Sequence, residues 1–129
     1  MNMLALAYVA FGGAVGAMGR HLMVNFIGNH TSLNFPYGTL SVNVLGGLLM
    51  GLWVGSMAYL MPAKAKDLHL LFAVGALGGF TTFSAFSLEI ILLIERSGFM
   101  QAGMYVLSSV VLSVGALFSG MAIARYALG

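Results

Sequence analysis

The sequence predicts an all-α membrane protein: four transmembrane helices with a break in the third. Three observations carry that prediction. Hydrophobic residues make up 60% of the chain and charged residues only 6%, with a mean hydropathy of +1.01, whereas a soluble domain carries roughly 25% charged residues. At about 20 residues per span, four spans and short connections use up all 129 residues as a single domain, 1–129. Finally, the apolar run 68–94 is interrupted by Gly78-Gly79-Phe80-Thr81-Thr82-Phe83-Ser84-Ala85-Phe86-Ser87. Adjacent glycines, adjacent threonines and two serines make poor continuous helix. In lipid, a broken helix persists only where its freed backbone groups are buried in protein or line a wet cavity. This polar stretch is therefore the first site candidate.

Composition also excludes functions. The net charge of +2 rests on five Lys/Arg and three Asp/Glu, too few and too scattered for a nucleic-acid footprint. The absence of cysteine removes disulfides, thiolate metal sites and cysteine nucleophiles. His21, His30 and His69 form no i,i+4 pair and fall near expected span ends, which reads as interfacial or loop histidine ahead of a metal site.

The first span is expected over residues 3–27. A signal peptide would need a basic segment ahead of its apolar core, and the first Lys/Arg is Arg20, so a retained helix is the better reading. Gly12, Gly16 and Arg20 recur every four residues, two positions for close helix approach followed by a guanidinium. Arg20 reads either as a snorkelling anchor or as a cation at an aqueous vestibule that attracts anions. After a connection holding Gly28, Asn29, Asn34 and Pro36, the second span is expected over 37–60, with Pro36 suited to its first turn. Gly47, Gly51 and Gly55 form a packing ridge, and Thr39 and Asn43 share a face. An amide in hydrocarbon must be hydrogen-bonded or wet, so Asn43 is either glue between helices or a group facing a pore.

The loop from Pro62 to Asp67 carries Lys64 and Lys66, the third span covers 68–94, and the fourth covers 99–127. In the fourth, Tyr105, Ser109 and Ser113 make a hydroxyl stripe at i, i+4, i+8. One serine can bond its own helix, but three hydroxyls on a line favour a wet track. Four spans place Lys64, Lys66 and Arg125 on one side and Arg20 and Arg96 on the other. Three against two is too small a bias to fix orientation, which predicts insertion both ways and an antiparallel dimer.

The membrane-depth chemistry is hydroxyls, one amide, aromatic rings and Glu89. Acid–base catalysis needs a positioned pair and metal hydrolysis needs clustered ligands. Neither pattern is present, so the chain does not read as an enzyme. The groups suit a permeation path, where hydrogen-bond donors replace part of an ion's hydration shell. Phe83 and Phe86 lie near one helix face and would offer either the negative face of a ring to a cation or its positive edge to an anion. The residues alone leave the sign of the ion open, with Arg20 tilting it towards anions.

The break sequence, together with Gly38-Thr39-Leu40-Ser41-Val42-Asn43 and Gly16-Ala17-Met18-Gly19-Arg20, closely resembles the Fluc (CrcB) fluoride channels over essentially the whole chain. The resemblance implies an antiparallel dual-topology homodimer in the inner membrane, with two pores exporting cytoplasmic fluoride. It further implies that the ring edges of Phe83 and Phe86 face fluoride, that Asn43, Thr39, Tyr105, Ser109 and Ser113 line the path, and that Glu89 lies near it. Arg20 would stand at the vestibule, and the carbonyls of Gly78 and Thr81 would hold a structural sodium ion at the dimer centre. Two other classes compete. A dual-topology small multidrug exporter needs an embedded carboxylate, expected in the first helix and here available only as Glu89. A non-transporting assembly subunit would rest on the Gly47/Gly51/Gly55 ridge.

Overall fold

The computed structural model describes residues 2–31, 34–60, 63 and 65–129. Pro62 and Lys64 of the second loop lie outside the described residues. Every regular element among the described residues is helical, and four helices are long and apolar enough to cross a membrane. The first spans Met3–His30, the second Tyr37–Leu60, the third Ala65–Ser97 and the fourth Phe99–Leu128. The first runs three residues beyond its expected end, because His30 Nδ1 and the Thr31 hydroxyl both bond carbonyls one turn back, at Phe26 and Ile27. Its start is capped by the Asn2 side chain, which accepts from the Leu4 N–H at 3.0 Å. Pro36 sits just outside the second helix, its carbonyl accepting the Leu40 N–H. Gly98, at φ 91°, makes the turn between the third and fourth spans, a backbone conformation that glycine alone adopts cheaply.

The third span is not one helix. Ala65–Leu68 is α-helical, His69–Leu77 winds as a π-helix and Gly78–Phe80 returns to α. Thr81 then leaves the helix at φ −84°, ψ 160°, and a second half resumes over Ser84–Ser97. The expected interruption was Gly78 to Ser87. The unwound part is shorter, Thr81 to Phe83; Gly79 faces the backbone of Gly13 on the first span and needs no unwinding to do so.

That break redirects the span. Its first half packs on the first span and its second half on the fourth, while the second and fourth spans share the most extensive contact in the molecule. Without a hydrophobic effect to drive helices together, close backbone approach supplies the contact. A Cβ on Gly16 would run into the Ala76 carbonyl and come within 2.9 Å of the Phe80 nitrogen. Likewise, a Cβ on Gly51 would run into the Leu117 carbonyl, and one on Gly47 would lie 2.6 Å from the Ser113 carbonyl oxygen. The Gly47/Gly51/Gly55 ridge is thus the seam against the fourth span. A buried cluster of Phe86, Leu93, Ala102 and Tyr105, flanked by Phe35 and Leu40, holds the second half of the third span in place.

The seam makes a testable distinction between glycines. Gly51→Val forces backbone apart, and overpacking costs about 1–3 kcal/mol or more. By contrast, nothing lies within 4 Å of a Cβ on Gly103, so Gly103→Ala leaves stability unchanged or raises it. Thermal unfolding in detergent, followed by circular dichroism, checks both: a clear fall in Tm for the first variant and none for the second.

Candidate functional site

The break is held by side chains that take over its backbone hydrogen bonds. Asn43, on the second span, donates from Nδ2 to the Thr82 carbonyl at 3.0 Å and accepts the Thr82 N–H on Oδ1 at 2.8 Å. In a continuous α-helix that N–H would reach the carbonyl of Gly78. Three residues on, the Ala85 N–H, which would have reached Thr81, donates to Thr82 Oγ1 at 3.2 Å. Thr82 therefore caps the second half-helix in the manner of an N-cap threonine, and the Phe83 carbonyl begins the new ladder by accepting the Ser87 N–H at 2.8 Å. The Thr81 hydroxyl and N–H both donate to Leu77, closing the first half. The carbonyls of Gly78 and Thr81 are left without their helical donors.

Three turns of the second span organise this region. Thr39, Asn43 and Gly46 follow one another at i, i+4, i+7 and so share a face. Asn43 holds Thr82, and Gly46 has no side chain where the Thr81 methyl sits. At the other end Thr39, 2% exposed, donates to Glu89 Oε1 at 2.7 Å. Tyr105, on the fourth span and fully buried, donates to Glu89 Oε2 at 2.6 Å. Both carboxylate oxygens thus accept a hydroxyl, tying three spans at one point. Both bonds lie in the usual range for a hydroxyl donor on an oxygen acceptor.

A groove of about 520 Å³ opens beside the break. It brings together Asn43, Gly78, Thr81, Phe83, Phe86, Ser109 and Ser113 of the sequence-derived candidates. Phe83 is 76% exposed and Phe86 only 7%, their ring centroids 5.6 Å apart and tilted by 56°. They differ because Phe83 lies in the unwound segment and Phe86 in the helix that packs on the fourth span. Behind Phe86 stands the Tyr105 ring at 5.1 Å. The hydroxyls of Ser109 and Ser113 are buried against the groove and have no hydrogen-bond partner. That is an unusual state for buried polar atoms.

Thr39, Glu89 and Tyr105 do not line the groove; they form the network behind it. Tyr105 therefore departs from the expected hydroxyl stripe, its OH spent on Glu89 while Ser109 and Ser113 face the groove. Arg20 also lies apart from the groove lining. Gly16 and Gly19, ahead of it on the same helix, pack against Phe80, and that helix continues to His30. Among the described residues no group of three or more His, Cys, Asp or Glu could hold a metal ion. The sequence reading missed one bond entirely: Trp53 Nε1–H donates to His69 Nδ1 at 3.2 Å, pinning the start of the π-helical segment. The signal available for it was a lone tryptophan and a span-end histidine, both amphipathic.

A family model described as CrcB-like protein, Camphor Resistance (CrcB), matches residues 7–121. The chain belongs to that family. Curated CrcB relatives match it along nearly their whole length. A protein of Phenylobacterium zucineum (strain HLK1) named fluoride-specific ion channel FluC is 50% identical over 123 residues, covering 95% of this chain and 97% of the relative. Namesakes from Caulobacter sp. (strain K31) and Agrobacterium fabrum are 47% and 42% identical, each over 95% of this chain and 96% and 98% of their own. The break, the groove and the Glu89 network are thus features of a CrcB chain.

The Glu89 network predicts coupled losses. Tyr105→Phe and Thr39→Val each remove one donor from a partly buried carboxylate, at a cost of about 1–3 kcal/mol. Because both act on one acceptor group, their effects in the double variant are not additive. A double-mutant cycle read by denaturant unfolding checks this; strict additivity would show that the two hydroxyls do not share Glu89.

Proposed function

We propose that the protein is a fluoride-selective channel through which cytoplasmic fluoride leaves by passive electrodiffusion. The relatives above carry the name of the ion, and they are channels rather than enzymes. The observation within this chain that carries the reading is the pair of buried, unpartnered hydroxyls, Ser109 and Ser113, facing a groove shared with Phe83 and Phe86. Hydroxyl donors replace part of a small anion's hydration shell, and ring edges present positive charge to it. Neither group offers a fixed charge that would trap the ion, so it can leave. Arg20, on the first span, adds a positive potential that draws anions towards the path. Asn43, Thr39, Tyr105 and Glu89 support the path: the first holds the break, and the other three fix Phe86 and its half-helix.

The conducting unit in this proposal is an antiparallel homodimer embedded in lipid. Facing hydrocarbon, the groove's amide, hydroxyls and freed carbonyls would be costly, so a second copy of the chain is the natural cover. The near-balance of basic residues, Lys64, Lys66 and Arg125 against Arg20 and Arg96, lets two copies insert oppositely. A two-fold axis through the break then brings Gly78 and Thr81 of each copy towards one another. Both carbonyls lose their helical donors, and an oxygen-only donor set suits a hard cation such as sodium. We assign that ion a structural role: its charge offsets the converging carbonyl dipoles.

Passive efflux from liposomes containing the purified protein, fluoride against chloride without a pH gradient, tests the reading. Rapid fluoride loss with negligible chloride loss is expected. Folded, inserted protein that releases no fluoride would overturn it.

A further inference from the structure

We infer that Asn43 is the positioning residue that keeps the third span broken, gripping residue 82 in an extended conformation that a helix cannot share. The two bonds it makes go to the N–H and the C=O of the same residue, Thr82. In an α-helix those two groups point in opposite directions along the axis, each to a different turn. Only in extended backbone do the N–H and C=O of one residue face the same side, as in a hydrogen-bonded pair of an antiparallel ladder. A single primary amide can satisfy both at once only there. Asn43 therefore imitates a neighbouring strand for one residue.

The consequences run in both directions from the clamp. Taking the Thr82 N–H leaves the Gly78 carbonyl free, and turning Thr82 out of the helix lets its hydroxyl cap Ala85 and so free the Thr81 carbonyl. Thr81 itself is extended at ψ 160°, its methyl accommodated because Gly46, three residues after Asn43, has no Cβ. Phe83, the first residue after the clamp, is thereby presented to the groove at 76% exposure. The amide reads as spent on backbone, with both its polar ends engaged, rather than as an ion ligand. The effect on flux rests on the channel reading; the effect on backbone does not.

The chain holds only four threonines, Thr31, Thr39, Thr81 and Thr82, of which the last two are the one adjacent pair. Threonine-selective ¹³C,¹⁵N labelling in lipid bilayers therefore assigns them directly, and their Cα and Cβ shifts report helical or extended backbone by solid-state NMR. In the wild type both break threonines are expected to be extended, with, in a sample also ¹⁵N-labelled at asparagine, a dipolar contact between the Asn43 side-chain nitrogen and the Thr82 carbonyl carbon. Asn43→Leu keeps the size but neither hydrogen bond, and the Thr82 shifts move to helical values as its N–H returns to Gly78. Asn43→Asp keeps an acceptor for the Thr82 N–H, and the shifts stay extended. Extended Thr82 in Asn43→Leu, even with fluoride flux lost, would show that Asn43 acts on the ion and overturn the inference. Absence of the Asn43–Thr82 contact in the wild type would do the same without any variant. Should the protein move no fluoride at all, the threonine shifts still decide the role of Asn43.

Discussion

A helix that breaks inside a membrane has no water to repair it, and every consequence in this chain follows from how that debt is met. Unwinding at Thr81 to Phe83 frees backbone donors and acceptors at a depth where each unpaired group costs several kcal/mol. Two of the donors are taken up by side chains: the Thr82 N–H by Asn43 and the Ala85 N–H by the Thr82 hydroxyl. The freed carbonyls of Gly78 and Thr81 remain, together with two buried hydroxyls on the fourth span. The leftover polarity is concentrated on one groove, and that concentration separates a site from a defect.

The same break solves a packing problem. A straight third span could follow only one neighbour, but its two halves follow two, the first span and then the fourth. The glycine seams make both attachments rigid by bringing backbones into contact. Glu89 fastens the second half from behind, accepting from Thr39 and Tyr105 at 2.7 and 2.6 Å. Phe86 is consequently fixed between Tyr105 and the groove, and Phe83 stands free on the unwound segment. Two phenylalanines three residues apart in sequence thus differ in burial by a factor set by the break.

Much of this was legible in the sequence because membranes restrict the menu. Four spans, a broken third helix, the Gly47/Gly51/Gly55 ridge and the polarity of the fourth helix followed from composition and spacing. The resemblance pointed to the groove residues Phe83, Phe86, Asn43, Ser109 and Ser113. Less legible were features decided by partners. The π-helical winding of His69–Leu77 has no local signature; it accompanies the seam with Gly12 and Gly16. Spacing grouped Tyr105 with the two serines, yet its hydroxyl is claimed by Glu89, a residue on another span. Likewise Asn43 was readable as glue or as pore lining, and only the geometry of Thr82 decides what its amide touches.

The central claim is that this groove lets fluoride cross passively rather than by exchange with protons. The most direct measurement is the reversal potential of current through purified protein in a planar bilayer, with a fluoride gradient and equal pH on both sides. A reversal potential that follows the fluoride gradient and ignores a chloride gradient is the result expected. One that stays at zero under the fluoride gradient and moves only when pH differs would contradict the account, and would turn attention from the groove to Glu89.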